Sequence, residues 1–245
     1  MRRADHLWII FPLLAVPARI YELKNNLDGA GLPIGGFPYL PAVLALAALA
    51  FLISARKLPE RDSVTGGLTE LFRFDGQLTL AAAVSGAFLL IVSAALRLVT
   101  GGFATLDAIL AIFLAVSGAA LLYVLVSLRR GKRFEPVALL VPVCCLVVQL
   151  IAVYRANARD SVPLHFYAEL LAVAALCLSA LYFAAFAYRC GSPRAFTVAA
   201  RMAAVLTAAS CAEMALAHRL PGLAACVGAL LLLLALLEAA GNFEG

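Results

Sequence analysis

Polar positions along this chain come in short bursts, and between the bursts lie eight nearly unbroken runs of Ala, Leu, Val, Ile and Phe. The runs cover residues 7–23, 37–55, 76–99, 103–128, 137–154, 164–188, 195–217 and 222–240. A bilayer core about 30 Å thick takes about 20 helical residues to cross, so runs of this length predict membrane-crossing segments. Each must be a helix, because a lone segment in lipid has to satisfy its own backbone hydrogen bonds. Turn residues fall where the charges do. Gly29, Gly31, Pro33, Gly35 and Gly36 follow the first run, and Gly101 and Gly102 the third. Gly131 follows the fourth, Pro163 the fifth, Gly191 and Pro193 the sixth, Pro221 and Gly222 the seventh.

Composition agrees: 64% hydrophobic residues and 13% charged ones exclude a soluble globule. The expected fold class is all-α, a polytopic integral membrane bundle of about eight transmembrane helices. Residues 1–245 form a single transmembrane domain, and none of the loops is long enough to build a separate core. The first run carries two prolines, Pro12 and Pro17, which predict a kink or break. It also faintly resembles a secretion signal, with Arg2, Arg3 and a short apolar core. Acidic Asp5 and the proline beside the cut site argue for a retained helix.

The charge balance of +5 becomes informative once it is divided between the loops. One side of the membrane receives Arg2, Arg3, Arg56, Lys57, Arg61, Arg73, Arg129, Arg130, Lys132, Arg133, Arg189 and Arg194. The other receives only Lys24, Arg97, Arg155, Arg159 and Arg219, while Arg19 and Arg201 lie inside runs. Basic residues stay in the cytoplasm, so both termini are expected there. The excess of base is thus a topology signal, and a nucleic-acid partner is not needed to explain it. The lipid bilayer is the expected partner, with the basic loop 129–133 next to its headgroups. The Ala/Leu-rich spans suit a bacterial inner membrane.

The halves 1–128 and 129–245 hold four runs each, which admits a parallel 4+4 internal repeat. Residues 39–49 and 166–176 align, as do 94–98 and 216–220, although Ala and Leu are common enough here to match by chance.

Ionisable groups at membrane depth mark a candidate site, because each one there needs a partner, water or a task. Arg19 and Glu22 stand one turn apart at the end of the first run. Glu169 and Glu213 lie at a similar depth on the sixth and seventh, and His165 shares a helical face with Glu169. These five residues are the predicted substrate-binding set, an outward-facing polar cavity for a small polar solute or a proton. The competing reading makes them interhelical ion pairs. Arg201 is expected to snorkel, Gln149 to bridge helices, and Ala81/Ser85 and Ala115/Ala119 to mark close helix crossings.

The six cysteines show no metal-binding spacing and are expected to be inert buried thiols. Two rim histidines, His165 and His218, are too few to argue for haem, so neither a metal nor any other cofactor is expected. Phosphate-cradling, dinucleotide, zinc-hydrolase and serine-hydrolase signatures are all absent, and no enzymatic activity is expected. The leading expectation is a small carrier or permease-like protein for a polar or charged small solute. The alternative is a non-transporting sensor or scaffold acting through a partner protein at the loops 56–75 or 129–135. An enzyme acting on lipid has only the rim His/Glu/Arg cluster behind it.

Overall fold

The structure is a computed structural model that describes residues 7–26, 35, 37–56, 58, 68–72, 74, 76–101, 105–132, 134–158 and 167–240. Several expected features lie outside the described residues. They are His165, the turn residues Gly29, Gly31, Pro33, Gly36, Gly102 and Pro163, and the charges Arg2, Arg3, Asp5, Lys57, Arg61, Arg73, Arg133 and Arg159.

Among the described residues every regular element is helical, with no strand. The helices are α1 (Ile10–Tyr21), α2 (Tyr39–Ala55), the single turn α3 (Leu68–Leu71), α4 (Gln77–Gly101), α5 (Thr105–Arg129), α6 (Leu140–Asn157), α7 (Tyr167–Ala187), α8 (Pro193–Leu216) and α9 (Leu220–Ala239). Six of them, α4 to α9, are long and apolar enough to cross a membrane. The molecule is therefore a multi-pass helical bundle of membrane type.

The first two expected spans come out shorter. Helix α1 has 12 residues, about 18 Å of rise, and runs through both Pro12 and Pro17. At Glu22, where the sequence turns polar, it passes into a π-helix, Glu22–Asn26. Helix α2 has 17 residues, bounded by Pro38 and Arg56.

Neighbour relations define the architecture. Each of α4 to α9 packs on the next in sequence, and α9 closes back onto α4, giving a ring of six helices. Helices α1 and α2 pack on each other and on α8, outside the ring. Helix α8, rich in Ala, Ser and Thr, consequently has protein on nearly every side. Ala200, Ala203, Ala204, Val205, Thr207, Ala209 and Ser210 are all fully buried. Large apolar side chains instead populate the outward faces, among them Leu78, Phe88, Val99, Ile112, Ile151, Leu178 and Leu181, the surface that acyl chains would solvate.

The ring closes through glycine. A Cβ added at Gly86 of α4 would stand 2.6 Å from the Gly228 carbonyl oxygen of α9, and one added at Gly228 would stand 2.8 Å from the Gly86 oxygen. Gly118 of α5 similarly admits the Ala87 carbonyl of α4. The expected crossing residues are offset from these points. Ala81, Ser85 and Ala119 face outward, Ala115 packs half-buried against the core, and the seam runs through Ala83, Gly86, Ala87 and Leu90. Composition could not fix the phase, because alanine occupies both faces.

Helix ends are closed by Schellman hydrogen bonds, which satisfy the last carbonyls. Lys132 N–H donates to Ser127 O, Cys190 to Ala185 O and Arg219 to Met214 O, at 2.9–3.0 Å. The left-handed residue in each is Gly131, Arg189 or His218. The α8–α9 turn is tight enough to press Met214 against Gly222.

Candidate functional site

Two polar assemblies occupy the end of the bundle that holds the α8–α9 turn. The first ties α1 to the ring. Arg19, with no exposed surface, donates from Nη1 to Glu22 Oε2 at 2.7 Å and from Nη2 to Glu213 Oε2 at 2.9 Å. Its guanidinium lies 4.9 Å from the Tyr167 ring centroid, within cation–π range. The Tyr167 hydroxyl donates to the same Glu22 oxygen at 2.9 Å. One cation thus joins α1, the π-helix, α7 and α8 in a single network.

The second assembly lines a cavity of about 130 Å³ enclosed by the ring. All six ring helices contribute side chains to its wall, and α1 and α2 contribute none. The cavity is long. It reaches from Glu169 and Gly222, in the first turns of α7 and α9, to Phe183 and Leu236 on the same helices, about 21 Å further along at 1.5 Å per residue. It exists because α7 and α9 present small residues to it, Ala172, Ala180, Ala225 and Ala229.

Its chemistry is graded. Arg97 and Glu169 stand at the α8–α9 turn end, then Ser210, Gln149 and Thr207, and the remainder is mostly apolar, with the hydroxyls of Ser117 and Ser179 deeper in and Phe183 at the floor. The charges that act on Glu169 are those of Glu213, Arg219 and Arg97. Two polar atoms in the wall are buried and have no hydrogen-bond partner among the described residues, Arg97 Nε and Thr207 Oγ1. Such groups are costly, about 1–3 kcal/mol each when left unsatisfied.

Below the floor the wall becomes aromatic. The Phe72 ring packs edge-on against Phe183 at 4.9 Å, Phe186 at 5.4 Å and Phe196 at 5.4 Å between centroids. The segment after α2 is held there by Arg194, which donates to the Leu58 carbonyl from Nε at 2.8 Å and to the Arg56 carbonyl from Nη2 at 3.2 Å.

The structure therefore divides the residues singled out in the sequence. Arg19, Glu22 and Glu213 come together, as their common depth suggested, with Tyr167 as an unforeseen fourth member. Glu169 belongs to the cavity instead, linked to the first assembly through the field of Glu213. Gln149 lines the cavity as well. Arg201, expected to snorkel, is turned inward: Nη1 donates to Ser54 Oγ at 3.0 Å and the guanidinium stands 5.8 Å from the Trp8 ring centroid.

Arg97 and Thr207 were not singled out as site residues. Arg97 resembled one more rim charge, although it lies one turn inside the end of α4 at a depth similar to that of Glu169. All six cysteines are free thiols, but only Cys145 is buried; Cys177, Cys211 and Cys226 are half-buried, and Cys144 and Cys190 are exposed. Cys226 Sγ donates to Ser210 Oγ at 3.7 Å across the α8–α9 contact. No protein-family pattern, curated protein or solved structure matches this chain.

Proposed function

We propose that this protein is a small membrane carrier whose binding site is the cavity inside the six-helix ring. The observation that carries this reading is the wall of that cavity. Arg97 Nε and Thr207 Oγ1 stand buried and unpartnered in it, and Glu169 lines its end near the α8–α9 turn. A packed structural core would pair or exclude such groups, whereas a ligand site keeps a few aimed polar atoms in mostly apolar walls. The Arg19 network, by contrast, has the form of a structural tie, so the centre of the proposed site lies at Glu169 rather than Arg19. In this reading the basic loops lie in the cytoplasm, of a bacterial inner membrane, and the Glu169 end opens outward.

A second reading keeps the cavity but removes transport. The segment carrying Phe72 rests on the cavity floor through Phe183, so an occupied cavity could signal to the 56–75 loop and a partner protein there.

Labelling from both sides of the membrane separates the two. Gln149 sits about 12 Å in from the end of α6. With the six native cysteines replaced by alanine, Gln149→Cys in a carrier reacts with an impermeant maleimide in right-side-out and in inverted vesicles alike. Labelling from one face only, or from neither, removes the carrier reading.

A further inference from the structure

We infer that the ligand of this cavity is a lipid-like amphiphile with one hydrocarbon chain and a small, net-uncharged head group rich in oxygen acceptors. The inference rests on the cavity's being the binding site proposed above and adds the class of molecule it takes.

Shape comes first. A water-sized group needs about 10–15 Å³ of such a cavity, so about 130 Å³ holds on the order of ten of them. Spread along about 21 Å of α7 and α9, that volume is a thin slot rather than a bulb. A compact sugar or amino acid would fill one level of it and leave the rest empty, whereas a single chain follows its length.

Polarity sets the direction. Leu90, Leu114, Leu121, Leu232, Leu236 and Phe183 surround the deep part, with only the Ser117 and Ser179 hydroxyls among them, and burying hydrocarbon there gains about 0.8 kcal/mol per methylene. The head would rest at the other end, with Arg97, Glu169, Gln149 and Thr207. Charge then narrows the head. An anionic head would meet the Glu169 carboxylate within the site and Glu213 near it, and a cationic one would meet Arg97 and Arg219. An uncharged head bearing carbonyl, ether or hydroxyl oxygens offends neither sign. It also supplies acceptors for the two unpartnered donors, Arg97 Nε–H and the Thr207 hydroxyl. Prenols, quinones and monoacylglycerols share this chemistry.

A primary alcohol of about ten carbons bearing a photoreactive diazirine near its chain end tests the idea in nanodiscs holding the full chain. Adducts are expected on cavity-lining peptides of α7 and α9, in the stretches around Ser179 and Leu232. Unlabelled alcohol of the same length should compete them away, and the matching carboxylate and trimethylammonium chains should compete about tenfold less well. Ala229→Trp, which fills the slot, should abolish the adducts. The near-isosteric Thr207→Val tests the head contact without disturbing the packing and should weaken binding about three- to tenfold.

Adducts confined to outward residues such as Leu178 and Leu181, or a charged chain that competes better than the alcohol, would overturn the inference. So would unchanged labelling in Thr207→Val. The two proposals fail separately. Two-sided labelling of Gln149→Cys without cavity adducts leaves a carrier of some other solute, and cavity adducts with one-sided labelling leave a lipid-binding protein that does not transport.

Discussion

At Arg19 a guanidinium with no exposed surface is held by two carboxylates and an aromatic ring, and such an arrangement breaks asymmetrically. Removing the cation alone strands Glu22, whose side chain is 8% exposed, and the 17%-exposed Glu213, without their counter-charge. Loss of one partner of a buried pair costs about 3–5 kcal/mol, whereas neutralising the whole set can cost far less. Arg19→Met should therefore lower the unfolding temperature in detergent sharply. The triple variant Arg19→Met, Glu22→Gln, Glu213→Gln should recover most of the loss. Equal losses in the two proteins would mean that the three charges are not one unit. How much of this was legible differs from residue to residue. Arg19 and Glu22 are neighbours by helical spacing alone. Glu213 lies 194 positions away and reaches them only because α8 packs on α1. Equal depth drew Glu169 into the same group, but around a ring of helices residues at one depth can face different spaces.

Among the elements, the contact between α4 and α9 shows why helix positions were readable and helix partners were not. A span announces itself by length and apolarity, which need no knowledge of its neighbours. The Gly86–Gly228 crossing exists only when both helices are present, and neither glycine stands out in its own sequence. Once the pair is known, the consequence is direct. Gly228→Ala puts a methyl against the Gly86 carbonyl and the Leu89 side chain, at 2.8 Å and 3.0 Å. Helix backbone cannot move aside as a flexible side chain can, so the variant should lose about 1–3 kcal/mol through overpacking. Val227→Ala on the same helix, where the side chain is exposed, should cost less. Thermal unfolding of the two variants side by side checks the order, and a harmless Gly228→Ala would mean that α4 and α9 stand further apart. The amphipathic signal that helps in water-soluble helices gave little help here, since lipid and protein interior are both apolar and a span has no wet face to mark its outside.

The whole molecule divides into a ring that encloses the cavity and a shorter pair, α1 and α2, leaning on α8 from outside. The sequence displayed eight comparable runs and offered little reason to treat the first two differently: the first is the shortest and carries two prolines, but the second is as long as the eighth and longer than the fifth. The contacts supply the reason. The ring is a closed cycle of sequence neighbours and has no gap for the pair to fill. The pair is fixed to it by the Arg19 network at one end, by Arg201 with Ser54 and Trp8 and Arg194 with the Arg56 carbonyl nearer the other, and by an apolar seam in which Ala15, Leu40, Ala47 and Phe51 pack on Ala168, Val205 and Ala209. Each ring helix is held between two others, whereas the pair leans chiefly on α8 alone, so it should open more readily than the ring. In Arg19→Met the loss should accordingly be local. Hydrogen exchange should rise in α1 and α2, while α4, α5 and α9 keep their native protection and the ring stays shut around its cavity. Exchange that rises equally in all of these helices would mean that the pair and the ring unfold as one body, and that α1 and α2 are staves of the same barrel of helices rather than a clasp on its side.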